Sequence, residues 1–265
     1  MKKNISKKLL AIDLDGTLLT DDKEISEANL NGLKKAVENN TTIAIVTGRE
    51  LFSALTIIEK YDFDYYLICY NGALIMDLKK NEEIFLQNMN MEDVKKIVDF
   101  CIKEEYPIHI FGETYWGVTG INQAVEDFVK AHDIEPNIVK DTREIEDMEI
   151  INLVGVGDVD KVEEFIVKNQ IDVSFTNSVP NTIDIMAKDV TKGSGLKILA
   201  DKLKFKREEI ISIGNYYNDI DMFKVSNIGV AIGNSPEEVK NHADYITIKS
   251  NNDNGVLEAI EKYIL

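Results

Sequence analysis

Hydrophobic residues along the chain form short apolar runs that alternate with longer stretches of helical spacing. The runs that read as buried strands are residues 9–12, 42–46, 65–69 and 210–213. The stretches that read as amphipathic helices are residues 26–38, 50–61 and 193–203. Strands that alternate with helices predict a parallel sheet with right-handed crossovers, in which ligands gather beyond the carboxyl ends of the strands.

The pattern changes between about residues 82 and 188, where strand and helix no longer alternate simply. Helices are predicted there over 91–105, 122–131 and 159–169, and strands over 108–111, 115–119, 149–156, 173–176 and 182–186. We interpret this segment as an α+β insertion with a mainly antiparallel sheet. The predicted fold class is α/β, with a Rossmann-like parallel-sheet core over 1–81 plus 189–265 and an inserted α+β cap domain over 82–188.

The 265 residues carry a formal net charge of −17, with 47 acidic against 30 basic side chains. This acidity argues against a nucleic-acid partner, because phosphate backbones are bound by concentrated Lys and Arg. Only Cys69 and Cys101 are present, so we predict two buried core residues in a reducing, cytoplasmic setting. No apolar run approaches the length of a membrane span, and nothing in the pattern indicates a membrane or a protein partner.

Two carboxylates follow the first predicted strand, in the run Asp13, Leu14, Asp15, Gly16 and Thr17. In an extended backbone, residues i and i+2 point the same way, so both carboxylates are expected to face one spot. Gly16 lets the chain turn and bring its amides close to an anion, and a bound cation would relieve the repulsion between the two carboxylates. The alternatives are an ordinary turn, in which Asp and Gly are common, and a short calcium loop, although the closing glutamate of an EF-hand is missing.

Polar residues also follow the next two predicted strands. Thr47, Gly48 and Arg49 come after the second strand and before a helix, a position suited to holding phosphate. The alternative is that Thr47 and Gly48 only end the strand. Asn71 follows the third strand. Because Asp13, Thr47 and Asn71 occupy equivalent strand ends, we expect them at one edge of the sheet.

The segment after the insertion adds two more candidates. Lys192 lies at the start of a predicted helix, where a cation is unfavourable unless an anion is near; the alternative is an ordinary surface lysine. Asn215, Asn218 and Asp219 follow the strand 210–213 in the run GNYYNDIDMF, with Asn215 and Asp219 one helical turn apart.

Together these motifs resemble the haloacid dehalogenase-like phosphohydrolases. The C-terminal segment has the run GNS at 233–235, then a helix, Ala-Asp at 243–244, a strand and Asn-Gly-Val at 254–256. This layout resembles the Cof-type subgroup with a type IIB cap. The resemblance implies that Asp13 attacks phosphorus and that Asp15 acts as acid and base, while Thr47 binds and Lys192 stabilises the phosphoryl group. The other substrate-binding candidates are Gly16, Gly48, Arg49, Asn71 and Asn218. The implied cofactor is Mg²⁺, with Asp13, Asp15, Asn215 and Asp219 as its ligands. Asn215 stands where the family pattern has aspartate, which predicts weaker Mg²⁺ binding because an amide carries no charge.

We therefore predict a Mg²⁺-dependent phosphatase that hydrolyses small phosphate monoesters, in particular sugar phosphates, through a phosphoaspartate. A phosphotransferase or mutase with the same chemistry stays open, as does a catalytically weak sugar-phosphate-binding protein, for which Asn215 is the only argument. Candidates for substrate contact in the cap are His109, Phe111, Trp116, Arg143 and Asp184. The favoured interpretation is that Phe111 and Trp116 are hydrophobic sheet residues and that His109 is a half-buried histidine with its hydrogen bonds satisfied.

Overall fold

The computed structural model describes residues 7–265, which fold as two compact units. One unit comprises the chain up to Leu86 together with Thr191–Leu265, and the other comprises Gln87–Val190. These bounds lie a few residues later than the predicted 82–188, because Glu82–Leu86 pairs with Leu74–Asp77 in the sheet of the first unit. The predicted core also includes residues 1–6, which lie outside the described residues. We call the two units the core unit and the inserted unit.

The elements of the described chain follow the predicted order closely. The strands are β1 Lys8–Asp13, β2 Thr41–Val46, β3 Tyr66–Cys69, β4 Leu74–Asp77, β5 Glu82–Leu86, β6 Ile108–Gly112, β7 Trp116–Val118, β8 Asn137–Ile138, β9 Ile150–Val156, β10 Val173–Thr176, β11 Thr182–Ala187, β12 Ile210–Gly214, β13 Ile228–Ala231 and β14 Tyr245–Ile246. The helices are α1 Glu27–Glu38, α2 Leu51–Ile58, α3 Met91–Lys103, α4 Gln123–His132, α5 Asp160–Lys168, α6 Lys192–Lys202, α7 Ile220–Val225, α8 Glu237–Lys240 and α9 Gly255–Tyr263.

The core unit is built on one sheet with the strand order β14-β13-β12-β1-β2-β3-β4-β5. Neighbouring strands from β14 to β3 are parallel, whereas β4 and β5 are antiparallel and extend one edge. The α/β class is confirmed, and the sheet is mixed rather than purely parallel at that edge. The chain turns back after β3 without an intervening helix, so the strand-helix alternation did not indicate the two edge strands.

β1 lies near the middle of this sheet, between β12 and β2. Leu9 to Ile12 are fully buried, as expected for a strand covered on both faces. Parallel pairing aligns the ends of β1, β2 and β12, with Ile12 opposite both Ile45 and Ile213. Asp13, the last residue of β1, therefore emerges at the carboxyl edge beside the residues that follow β2 and β12.

Helix α6 begins at Lys192 because a capping box fixes its first turn. The Thr191 hydroxyl accepts a hydrogen bond from the Ser194 N–H at 3.1 Å, and the Ser194 hydroxyl accepts one from the Thr191 N–H at 2.9 Å. Leu196 and Leu199 pack into the hydrophobic cluster below the sheet, and burying each such side chain stabilises the fold by about 1.5–3 kcal/mol. The capping box and the packing of Leu196 and Leu199 together hold Lys192 in one place.

The inserted unit contains a second sheet with the order β10-β11-β9-β6-β7-β8, in which only the β7–β8 pair is parallel. This matches the predicted α+β segment with a mainly antiparallel sheet. Residues that pair directly share a face, so Ile110, Leu153 and Ile185 form an apolar row. The opposite face carries Phe111 and Asn152 as one paired row, with His109 beside them.

Both cysteines are buried free thiols, as predicted. In residues 7–265, none of the helices has the length and apolar character needed to cross a membrane.

Candidate active site

A lysine joins two carboxylates at the carboxyl edge of the core sheet. The Lys192 Nζ atom donates to Asp13 Oδ1 at 2.6 Å and to Asp219 Oδ1 at 2.7 Å. All three side chains are almost fully buried. Removing an ion from water is costly unless it is paired, so each of these charges depends on the others. Three distant parts of the chain therefore meet at one point.

The charges of this group change its proton affinities. Burial raises the pKa of Asp13 and the charge of Asp219 raises it further, while Lys192 opposes both, so that the pKa is about 7. Burial alone would lower the pKa of Lys192, but the two carboxylates outweigh this and hold the pKa above its usual range. When all three side chains are ionised, the two carboxylates and one ammonium group carry a net charge of −1.

Asp219 also fixes the loop that follows β12. Its second oxygen, Oδ2, accepts hydrogen bonds from the main-chain N–H groups of Asn215 at 2.7 Å and Tyr216 at 3.0 Å. A Cβ atom at Gly214 would lie 2.5 Å from the same oxygen, so the close approach requires glycine there. Both carboxylate oxygens of Asp219 are thus engaged by the protein, and they position Lys192 and Asn215.

The side chain of Asn215 faces three oxygen atoms. The inward end of its amide lies 3.1 Å from Asp13 Oδ2, 3.0 Å from the main-chain oxygen of Asp15 and 3.1 Å from Thr17 Oγ1. With the amide oxygen inward, only the Thr17 hydroxyl donates to it. With the amide turned over, its NH₂ group, which has two hydrogens to donate, lies within hydrogen-bond distance of all three oxygens.

These atoms fit a Mg²⁺ site. Mg²⁺ takes oxygen ligands at about 2.0–2.1 Å in an octahedron, so adjacent ligands lie about 3 Å apart. The inward atom of the Asn215 amide has this spacing from both the Asp13 carboxylate and the Asp15 main-chain oxygen. Within residues 7–265 no three side chains of the types His, Cys, Asp and Glu are grouped so as to hold a metal. Main-chain and amide oxygens would therefore have to complete the ligand set.

The Asp15 carboxylate is paired with cations other than Lys192. β1 ends at Asp13, and the chain turns at Gly16, whose φ is +72°. Arg49 donates to both Asp15 oxygens, at 2.5 and 2.7 Å, and Lys23 donates at 2.8 Å. Burial would raise the pKa of Asp15, but these two cations outweigh it and lower the pKa to about 2.

The segment after β2 holds Arg49 in place. The buried Thr47 hydroxyl accepts from the Arg49 N–H at 3.1 Å, and Arg49 Nη1 donates to Ser53 Oγ at 2.9 Å. Gly48 lies between Thr47 and Arg49 in the chain and is half-buried. Helix α2 begins at Leu51, one residue after the predicted start, and Glu50 separates Arg49 from it.

A tight turn after β3 brings Asn71 to the same edge. Tyr70, Asn71 and Gly72 all have positive φ, at 50°, 51° and 110°, a conformation that costs energy for the two residues with side chains. A Cβ atom at Gly72 would lie 2.2 Å from the Thr191 main-chain oxygen, so the turn presses against the start of α6. Asn71 Oδ1 accepts from Asn218 Nδ2 at 2.9 Å. The two predicted substrate-binding amides are therefore neighbours.

In the inserted unit, His109, Phe111 and Trp116 form a buried aromatic group with Phe128. Trp116 Nε1 donates to His109 Nδ1 at 3.2 Å, and burial lowers the pKa of His109 to about 4. The interpretation of these residues as core is consistent with their burial. The histidine is not fully satisfied, however, because its Nε2 atom has no hydrogen-bond partner among the described residues.

The other two substrate-contact candidates of the inserted unit, Arg143 and Asp184, are not part of this aromatic group. Arg143 is 80% exposed and pairs with Asp141 in its own turn, whereas Asp184 is buried on β11. Asn152, which the sequence did not single out, is fully buried, and neither amide atom has a partner within residues 7–265. An alternating strand pattern does not reveal whether a polar residue has a partner.

Sequence reasoning also missed residues around the carboxylates of the core unit. Lys23 and Ser53 had no motif, because their roles arise only from the contacts with Asp15 and Arg49. Asn234 donates to the Gly16 main-chain oxygen at 2.9 Å. It lies in the run Gly233, Asn234 and Ser235, for which the sequence predicts no role.

Comparison with known proteins gives one consistent family. A family model described as haloacid dehalogenase-like hydrolase matches residues 10–260. The chain is 30% identical, over 264 residues, to 5-amino-6-(5-phospho-D-ribitylamino)uracil phosphatase YcsE of Bacillus subtilis, covering 100% of this chain and 98% of that protein. Among solved structures, it is similar to the HAD subclass IIB sugar phosphatase BT4131, with a TM-score of 0.85, 27% identity and coverage of 97% and 99%. BT1666 from Bacteroides thetaiotaomicron, studied among HAD phosphatases, gives a TM-score of 0.84 at 26% identity, with coverage of 99% and 97%.

Proposed function

This chain belongs to the haloacid dehalogenase-like hydrolase family, and we propose that it is a Mg²⁺-dependent phosphatase for small phosphate monoesters, with sugar phosphates as the preferred class. The observation that carries the proposal is the buried contact of Asp13 with Lys192, beside the oxygen atoms around Asn215. The substrate class is supported by similarity to a sugar phosphatase and to a phosphatase of a phosphoribitylamino compound. The cytoplasm is the proposed location.

The proposed reaction has two displacements at phosphorus. In the first, a carboxylate oxygen of Asp13 forms a bond to phosphorus, the ester P–O bond breaks, and the leaving oxygen takes a proton from Asp15. In the second, Asp15 removes a proton from water, the water oxygen bonds to phosphorus, and the bond to Asp13 breaks. Inorganic phosphate is released, and both aspartates return to their starting forms.

Asp15 needs a proton for the first displacement, but Arg49 and Lys23 favour its ionised form. We propose that the phosphate dianion attracts these cations away from Asp15. Arg49 presents the planar donor geometry that suits phosphate oxygens. Loss of both partners from the buried carboxyl would then raise its pKa and allow it to carry the proton.

The remaining site residues are proposed to bind and position the phosphoryl group. Lys192 and Thr47 would contact its oxygens, as would the main chain at Gly16 and Gly48, while Asn71 and Asn218 would hold the rest of the substrate. Mg²⁺ would be held by Asp13, the Asp15 main-chain oxygen and Asn215. Asp219 would support this set through its contacts with Lys192 and the Asn215 N–H. When bound, the ion supplies charge neutralisation for the phosphoryl oxygens.

The proposal is tested by release of inorganic phosphate from a panel of phosphorylated metabolites, with Mg²⁺ and with a chelator. We expect release only with Mg²⁺, and a loss of at least about a thousandfold in Asp13→Asn, because the variant lacks the nucleophile. Asp221→Asn on α7 is the matched control, since that carboxylate is partly exposed and pairs with Lys224. Retained hydrolysis in Asp13→Asn, or release that does not need Mg²⁺, would contradict the mechanism.

Transfer to an added acceptor alcohol in place of water would instead identify a phosphotransferase with the same first step. The neutral side chain of Asn215 favours a second candidate, a catalytically weak sugar-phosphate-binding protein. A phosphorylated ligand that raises the melting temperature, with no phosphate release in Mg²⁺, would support that candidate.

A further inference from the structure

We propose that the side chain of Asn215 is a two-position switch, with its amide nitrogen inward when the metal site is empty of Mg²⁺ and its amide oxygen inward when Mg²⁺ is bound. This inference rests on the metal site of the proposed function. It assigns to Asn215 a role that an aspartate at the same position could not have, because an ionised carboxylate only accepts hydrogen bonds.

The surroundings of the amide support two positions. Its inward end lies 3.0–3.1 Å from Asp13 Oδ2, the Asp15 main-chain oxygen and Thr17 Oγ1. Without a cation, an inward oxygen would face two acceptors that offer no hydrogen. An inward NH₂ group donates to these oxygens instead, so the metal-free site is stabilised by hydrogen bonds, one of them to the buried Asp13 carboxylate.

The outward end of the amide faces only donor groups, from which an outward oxygen can accept hydrogen bonds. It lies against Gly16, where a Cβ atom would come within 2.5 Å of Asn215 Nδ2. The two ends of an amide have nearly the same shape, so a half turn about the terminal bond changes the hydrogen bonding while the packing stays the same. The switch therefore needs no movement of the loop, whose Asn215 and Tyr216 N–H groups are held by Asp219.

The switch has a measurable consequence for stability. The wild-type protein should be well folded in chelator and gain little from Mg²⁺, because bound metal replaces hydrogen bonds that are already favourable. Asn215→Asp should be less stable in chelator, because a carboxylate would face Asp13 and the Asp15 main-chain oxygen. It should bind Mg²⁺ more tightly, and Mg²⁺ should restore its stability.

The first experiment measures thermal unfolding of the full chain in EDTA and in millimolar Mg²⁺. We expect Asn215→Asp to melt about 5 °C or more below wild type in EDTA and to recover most of that loss in Mg²⁺. Asn234→Asp is the matched control. It also puts a carboxylate beside Gly16 and loses the hydrogen bond to the Gly16 main-chain oxygen, but it does not face the three oxygens around Asn215. Its loss should not be recovered in Mg²⁺. Equal stability of Asn215→Asp and wild type in EDTA, or equal recovery of the two variants, would overturn the switch.

The second experiment uses the wild-type protein and does not depend on the folding of a variant. The side-chain NH₂ resonances of Asn215, identified by their absence in Asn215→Ser, are followed in ¹⁵N NMR spectra during a Mg²⁺ titration. Ligand binding usually slows hydrogen exchange, but the switch predicts faster exchange of this NH₂ group with Mg²⁺, because its hydrogen bonds are broken. Unchanged or slower exchange at saturating Mg²⁺ would overturn the proposal.

The two proposals fail in different ways. Mg²⁺-dependent phosphate release together with an Asn215 amide that does not respond would reject the switch alone. No binding of Mg²⁺ by the wild-type protein or by Asn215→Asp would reject both the switch and the metal site of the proposed function.

Discussion

Two groups of buried polar side chains, one in each unit, differ in whether their polar atoms have partners. At the carboxyl edge of the core sheet, Lys192 contacts two carboxylates and Arg49 contacts a third, so these buried or partly buried charges are paired. On the polar face of the inserted sheet, His109 is uncharged with one nitrogen unpartnered, and the amide of Asn152 has no partner within residues 7–265. The charges at this edge of the core sheet are paired, whereas His109 and Asn152 on the inserted sheet leave polar atoms without partners.

This difference predicts opposite effects of mutation. Removing one member of a pair leaves the other charge buried and unpaired, which is strongly destabilising. Removing a polar group that has no partner ends an existing penalty, which is neutral or stabilising. The following experiments test this contrast, beginning with the largest expected effect.

Lys192→Met should lower the free energy of unfolding at neutral pH by about 3–5 kcal/mol, because Asp13 and Asp219 would face each other without a cation. Chemical denaturation measures the change. Lys224→Met is the control, since Lys224 pairs with Asp221 on the exposed side of α7 and such surface pairs contribute about 0–1 kcal/mol. Similar losses in the two variants would remove the distinction between buried and exposed pairs.

Acid should destabilise the inserted unit through His109. Its pKa of about 4 in the folded state lies below the usual 6.5, so the unfolded chain takes up the proton first as pH falls. The contribution of the neutral His109 to stability is complete above pH 6.5 and is lost between pH 6.5 and pH 4. The loss amounts to about 2 kcal/mol at pH 5. Unfolding followed by Trp116 fluorescence should show this loss in wild type and not in His109→Phe. His242 is exposed, so His242→Gln should lose stability in acid as wild type does. The same loss in wild type, His109→Phe and His242→Gln would show that groups other than His109 cause it.

Arg49→Gln should lower stability by about 1–2 kcal/mol near pH 7, because it removes the larger of two partners from the Asp15 carboxylate. The folded pKa of Asp15 is below its usual value, so this contribution is present above about pH 4 and disappears as pH falls toward 2. Arg143→Gln provides a matched control, because Arg143 makes the same paired contact with Asp141 in solvent and should contribute less. A larger loss in Arg143→Gln would reverse the argument from burial.

Asn152→Leu should raise the free energy of unfolding by about 1 kcal/mol, since a buried amide without partners is replaced by an apolar side chain of similar size. Asn122→Leu is the comparison, because the Asn122 side chain accepts from the Val125 N–H and caps α4, and its loss costs about 1 kcal/mol. If both variants lost stability, Asn152 would have to have a partner such as bound water.

The sequence was sufficient to predict much of the fold because burial leaves a direct signal in it. β1 and β2 are largely apolar runs, and the polar residues at their ends marked the edge at which Asp13 contacts Lys192. The edge strands β4 and β5 were missed because no helix separates β4 from β3. Element type follows from local pattern, whereas strand pairing depends on distant residues.

Side-chain partners were harder to predict than positions. The carboxylates of Asp13 and Asp15 were expected at one spot, but the pairing of Asp15 with Arg49 was not predicted. Nothing in the sequence near Lys23 or Asn152 indicates whether their polar atoms are paired. Such contacts are set by the tertiary structure and leave no periodic signal.

The contact between Asp13 and Lys192 spans 179 residues of sequence, and this imposes an order in time on synthesis. Asp13 is synthesised long before Lys192, and β1 is synthesised longer still before its neighbouring strand β12. All strands of the inserted unit are encoded between these partners. Since domains generally fold as units during synthesis, we expect the insertion to be complete before the surrounding unit can close on its buried charges.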